Sequence, residues 1–153
     1  MIIMKRSYWL FGSKQQILMN GGNTNNLYDL IEGAFPPGAQ SPLHIHSRYS
    51  ETIIVLEGEV GIFTPGEHHV LKAGDTDFIP ANIPHAVVNE SASLPFKAMC
   101  IASPSGFAEL ISSVGIEAGE EMIAPNTPHD MQKAMEVMAK IGDRILGPPG
   151  ARP

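Results

Sequence analysis

Between Leu27 and Ala102 the chain alternates short runs rich in Ile, Val, Phe and Thr with brief turn-forming breaks. The breaks fall at Phe35-Pro36-Pro37-Gly38, Glu57-Gly58-Glu59, Thr64-Pro65-Gly66-Glu67, Lys72-Ala73-Gly74-Asp75 and from Pro80 to Pro84. Gly and Pro pre-set turn dihedrals and interrupt hydrogen-bond ladders. The pattern therefore predicts many short strands in an all-β antiparallel sandwich or barrel. Ahead of it, Tyr8 to Phe11 and Ile17 to Met19 are short apolar runs, and the Gly/Asn-rich stretch Asn20 to Asn26 reads as a loop.

After Pro104 the period lengthens to that of a helix. A short helix is predicted over Gly106 to Val114 and a longer one from about Pro128 to Ile141, with Thr127 as N-cap and Asp130 in the first turn. Gly142 supplies the stop. Met131, Ala134, Met135, Met138 and Ile141 form an i, i+3, i+4, i+7 stripe that reads as packing against the barrel or across a dimer. Leu146 to Gly150 reads as an irregular tail. With 153 residues, the chain is expected to be one domain: an N-terminal segment (1–26), a barrel (27–103) and a C-terminal helical extension (104–153).

Charge narrows the partners. Only 17% of residues are charged while 43% are hydrophobic, so surplus apolar surface must enter a core, a ligand cavity or a subunit interface, and a homodimer is expected. The net charge of -6 and the scattered Lys and Arg residues argue against a nucleic-acid partner. Neither a secretion signal nor a membrane span is apparent, and the single Cys100 reads as a small buried hydrophobe in a reducing compartment, so the expected location is the cytoplasm.

The chemistry concentrates at four positions. His44 and His46 lie two apart, so on a strand both imidazoles leave the same face. Glu51 follows after a stretch short enough to bend back, and His85 arrives directly after the rigid Pro80 to Pro84 loop. Three imidazoles and one carboxylate suit a divalent first-row transition metal, with Fe, Mn, Ni, Co, Cu and Zn all acceptable. His68 and His69 are adjacent on a hairpin strand and point to opposite faces, so both read as surface residues, and His129 at a helix start is expected to be exposed.

The glycines and prolines around these ligands carry a resemblance. Gly38, His44, His46, Glu51 and Gly58 match the first motif of the cupin superfamily, and Gly74, Pro80, His85 and Asn89 match the second; Asn82 stands where that family usually has Gly. Asn is the non-Gly residue most tolerant of a left-handed backbone, so the turn is expected to survive. The resemblance covers residues 27–103 and implies a double-stranded β-barrel holding a metal on His44, His46, Glu51 and His85. Pro37-Gly38, Pro104-Ser105-Gly106-Phe107 and the Gly-Pro-Pro tail look like those of small quercetin-dioxygenase-like cupins.

That resemblance implies a dioxygenase acting on a small aromatic or enolic, flavonol-like substrate, with Glu51 both ligand and general base. The same fold also serves isomerases, polyketide cyclases and non-catalytic binding modules, so these remain open. With 26 residues ahead of the barrel, no helix-turn-helix domain is expected there. The pocket is expected to be apolar and lined by Tyr28, Leu30, Phe63, Phe78, Val87, Met99 and Ile101, with Tyr49 beside the ligands.

Overall fold

The computed structural model describes residues 1–153. Seven strands build the larger sheet: β1 (Arg6–Leu10), β2 (Ser13–Met19), β3 (Asp29–Phe35), β5 (Ser50–Glu57), β8 (Thr76–Ile79), β10 (Phe96–Ser103) and β11 (Ile116–Glu117). Their order in space is β11-β1-β2-β3-β10-β5-β8, and every neighbouring pair is antiparallel. The opposing layer pairs β7 (Glu67–Lys72) with β6 (Glu59–Thr64) and β6 with β9 (Ala86–Val88). A backbone bridge between His44 and His85 then joins it to β4 (Leu43–His46), which pairs with β12 (Asp143–Gly147).

The two layers face each other across Phe35, Ile53, Val55, Val60, Ile62, Ile79, Phe96 and Ala98, all buried. This is the barrel core. A second core, built on Tyr8, Leu10, Ile17 and Ile31, receives Leu110 and Ile111 from α2 (Phe107–Val114) and Ala134, Met138 and Ile141 from α3 (Met131–Ile141). Gly106, the N-cap of α2, has no side chain to offer. Asp29 takes over that task, its Oδ2 accepting from the backbone N–H groups of Gly106 and Ala108 at 2.8 and 3.0 Å.

Several terminal elements differ from the sequence expectation. Residues 6–19 form a hairpin that extends the large sheet, and α1 (Gly21–Thr24) is a single turn within the expected loop, capped by Asn20. Helix α3 begins at Met131, with Asp130 rather than Thr127 as N-cap: its Oδ1 accepts from Lys133 N at 3.0 Å. The preceding chain is held out of helical geometry by His129, which is half-buried rather than exposed. Its Nε2 accepts from Phe11 N at 3.0 Å, and its Nδ1 lies 3.2 Å from the Val114 carbonyl. On α3, Ala134, Met138 and Ile141 are buried while Met131 and Met135 face outward. The expected tail is partly strand β12, and no helix is long and apolar enough to cross a membrane.

Candidate metal centre

His44 and His46 sit at alternate positions of β4, and Glu51 opens the inner face of β5 opposite Ala102 and Ile79. The loop Pro80 to Pro84 delivers His85. Asn82 adopts the left-handed conformation there (φ 66°) and donates its N–H to the His46 carbonyl at 2.7 Å, tying the loop to the ligand strand. At the far end of β5, Gly58 has φ 76°, and a Cβ there would meet the Pro95 carbonyl at 2.6 Å. Asn89 is fully enclosed and donates to the carbonyls of Phe35, Pro36 and Leu94 at 3.0, 3.0 and 2.9 Å, clamping two chain segments.

These elements bring one donor atom each of His44, His46, Glu51 and His85 within 4.8 Å of one another. The hydrogen bonds fix which nitrogens face inward. His44 Nδ1 lies 2.8 Å from the Pro42 carbonyl, His85 Nδ1 2.9 Å from the Ile83 carbonyl, and His46 Nδ1 2.7 Å from Asp143 Oδ1. Those oxygens can only accept, so each Nδ1 carries the proton and each Nε2 is left for the centre.

Glu51 Oε2 stands 3.0 Å from His85 Nε2 and 3.3 Å from His46 Nε2, and the latter nitrogen is buried without an aligned hydrogen-bond partner. A neutral imidazole lone pair facing a carboxylate at such distances is repulsive, so the cluster calls for a positive species between them, a proton or a metal ion. The His/Glu donor set is able to hold a metal ion.

In the metal-free protein, burial raises the proton affinity of Glu51. The positive charge of His46 outweighs it and holds the carboxyl well below its usual range. For His46, burial works downward, but Glu51 and Asp143 push it up to about 10. His44 is driven well below the ordinary histidine value by burial and then by His85 and His46. Cys100 donates its thiol toward Glu51 Oε1 at 3.6 Å and is held protonated, chiefly by burial.

A cavity of about 110 Å³ opens over the cluster. The barrel contributes Phe35, Ile53, Val87 and Phe96, the N-terminal hairpin Leu10 and Phe11, and the C-terminal extension Phe107, Leu110, Met138 and Ile145. Ser13, Gln15 and Arg144 add polarity.

Of the residues expected on its wall, Val87 lies there. Leu30, Met99 and Ile101 have the opposite strand parity to Ile31 and Cys100 and face outward, and Phe78 is 58% exposed on the same outer face. Tyr28 precedes β3 and donates toward Met19 Sδ at 3.6 Å, and Phe63 is sandwiched by His68 and Arg152. Tyr49 is buried behind His46, stacked on its ring at 4.4 Å and donating its hydroxyl to Asp143 Oδ2 at 2.7 Å. Sequence reasoning missed Asp143, and no local motif marks it.

Residues 32–102 match the family profile described as a cupin domain. The chain belongs to the cupin superfamily. Among curated relatives it is similar to quercetin 2,3-dioxygenase of Bacillus subtilis, 35% identical over 79 residues, which is 51% of this chain and 23% of that enzyme. The chain spans less than two thirds of the length of the curated relatives it matches. An RmlC-like cupin from Shewanella frigidimarina superposes with a TM-score of 0.57 at 27% identity, covering 67% of this chain and 86% of that one. The polyketide cyclase RemF from Streptomyces resistomycificus (TM-score 0.55, 23% identity, 68% and 72% covered) shares the fold. The matched cupin stretch ends before α2, so the whole helical extension, Asp143 included, lies outside it.

Proposed function

We propose that this cupin is a metal-dependent dioxygenase of a small aromatic or enolic compound, in which His44, His46, Glu51 and His85 hold a divalent transition metal. The observation that carries the reading is the convergence of three Nδ1-protonated imidazoles and one ionised carboxylate at the floor of an apolar cavity. The similarity to quercetin 2,3-dioxygenase over the barrel supports it. When bound, the metal would supply Lewis acidity toward a substrate oxygen.

The chain's own residues do the rest. The apolar wall excludes water and favours a flat neutral ring over a sugar phosphate or a dicarboxylate. Glu51 is ionised at neutral pH, the state in which it accepts a proton. Its Oε2 is turned to the imidazoles, so Oε1, beside Cys100, is the atom placed to take the proton of an enol hydroxyl. The deprotonated substrate is then the electron-rich partner for dioxygen, with cleavage of a carbon–carbon bond. We place this enzyme in the cytoplasm, in keeping with its lone thiol, and as a homodimer joined through the apolar outer face of the large sheet.

Elemental analysis of untagged protein, followed by oxygen-uptake assays with flavonol and acireductone-like compounds, tests the reading. Oxygen consumption that disappears in His46→Ala is expected. Product formed equally well under anaerobic conditions would reassign the site to an isomerase or cyclase.

A further inference from the structure

We propose that Asp143 is a positioning residue of the metal centre, and that through it the C-terminal extension sets the metal affinity of the cupin barrel. The inference rests on the metal-centre reading above. It starts from an asymmetry among the three histidines. His44 and His85 are each oriented by the carbonyl two residues earlier, Pro42 and Ile83, so their own local chain sets the ring. His46 has no such local acceptor. Its Nδ1 is held by a carboxylate 97 residues away in sequence.

The geometry around that carboxylate is fully determined. Asp143 is 7% exposed and uses both oxygens, Oδ1 on His46 Nδ1 and Oδ2 on the Tyr49 hydroxyl, each at 2.7 Å. Tyr49, 2% exposed, stacks on the His46 ring at 26° to it, so the imidazole is fixed by one hydrogen bond and one face. Asp143 and His46 are direct partners in the β12–β4 pairing. The residue before Asp143, Gly142, closes α3 with φ 83°, and its carbonyl accepts from Ser47 N and Ser47 Oγ at 2.8 and 2.7 Å. A Cβ at Gly142 would meet Ser47 Oγ at 2.5 Å, so a larger residue would displace the hydroxyl that bonds the Gly142 carbonyl as well as strain the left-handed backbone.

Two consequences follow from general chemistry. A carboxylate acceptor fixes the Nδ1–H tautomer and makes Nε2 a more basic donor than a carbonyl acceptor does; loss of such partners typically weakens metal binding about 10–100-fold. The buried carboxylate is itself satisfied only while His46 and Tyr49 are in place, because an unpaired buried charge is strongly unfavourable. Seating of α3 and β12 and binding at His46 therefore favour each other, and the coupling is reciprocal.

The test is Co²⁺ binding to the full-length metal-free protein, read by ligand-field absorption and by competition with a chelator, together with hydrogen–deuterium exchange. Asp143→Ala is expected to bind Co²⁺ about 10–100-fold more weakly and to shift the absorption bands. Asp143→Asn, which keeps an acceptor for Nδ1–H, is expected to fall between alanine and wild type. Co²⁺ is expected to slow exchange in β12 as well as β4 of the wild type, a readout available even if Asp143→Ala fails to fold. Asp143→Ala binding within twofold of wild type, or a β12 whose exchange ignores Co²⁺, overturns this inference alone. A wild type that binds no Co²⁺ overturns the metal-centre reading and this inference with it.

Discussion

His44 and His85 are joined backbone to backbone, His44 N donating to the His85 carbonyl at 3.1 Å and His85 N to the His44 carbonyl at 2.9 Å. Two histidines of the cluster, distant in sequence, are thus spaced by a backbone bridge that owes nothing to their side chains. Removing the half-buried His44 imidazole should spare the fold and empty the centre. His44→Ala is expected to keep the wild-type far-ultraviolet circular dichroism while Co²⁺ affinity drops by more than about 100-fold, beyond the loss typical of an outer hydrogen-bond partner. Retained affinity in a folded variant would show that His44 is no ligand.

Asn82 holds the turn before His85 at φ 66° and donates to the His46 carbonyl. Asn82→Gly keeps that N–H and removes the side-chain penalty of the left-handed region, whereas Asn82→Ala keeps the penalty without asparagine's tolerance of it. Thermal unfolding is expected to rank glycine at or above wild type and alanine about 1 kcal/mol below it. An alanine variant as stable as wild type would mean that the turn relaxes to another conformation.

The convergence of His44, His46, Glu51 and His85 was legible in the sequence because the cluster is framed by residues with backbone duties: Gly58 by close approach, Asn82 by its positive φ, Asn89 by its clamp on three carbonyls. The cavity wall was not legible. Strands β3 and β10 carry large apolar residues on both faces, so Leu30, Met99 and Ile101 look as inward as Ile31 and Cys100 until the register separates them. The true inner positions include Gly33 and Ala98, small residues that carry no hydrophobic signal. Asp143 was hidden for another reason: its role depends on a strand pairing between chain ends, which no local pattern encodes.

Asn89 is the clamp of greatest consequence for stability. It is 1% exposed, and its Nδ2 serves three carbonyls from two chain stretches. Asn89→Ala leaves those acceptors without their donor, which is expected to lower unfolding free energy by about 2–4 kcal/mol in urea denaturation. A loss below about 1 kcal/mol would mean that water replaces the amide at little cost.

Metal-free protein is expected to be most stable near pH 6 to 7, and the sign follows from three groups. His46 has its folded pKa raised to about 10, so its contribution is complete below the unfolded value of about 6.5 and is lost as pH climbs toward 10. Glu51 is lowered, so its contribution is present above the ordinary carboxylate range and lost as pH falls through it. His44 is also lowered and resists protonation when folded, so it withdraws stability below the ordinary histidine range. Thermal midpoints of chelator-treated protein at pH 4.5, 6.5 and 9.5 should trace that maximum, and a midpoint still rising from pH 6.5 to 9.5 would contradict the His46–Glu51 pairing.

Across the outer face of the large sheet, Leu30, Ile101, Thr52 and Phe78 are successive register partners, and Met99 lies beside Ile54 in the next row. Phe78 is 58% exposed, and Leu30, Thr52, Met99 and Ile101 are half-buried. This mostly apolar band, which contains Thr52 and is bordered by Glu32 beside Met99, is the face through which we propose the homodimer forms. Sedimentation velocity should give a dimer for wild type and a monomer for Ile101→Glu, whose carboxylate would be buried against its symmetry mate's apolar row. Since Ile101 points away from the cavity, Co²⁺ affinity of the variant should stay within about threefold of wild type; a wild-type monomer would overturn the homodimer, and an Ile101→Glu dimer would move the interface elsewhere.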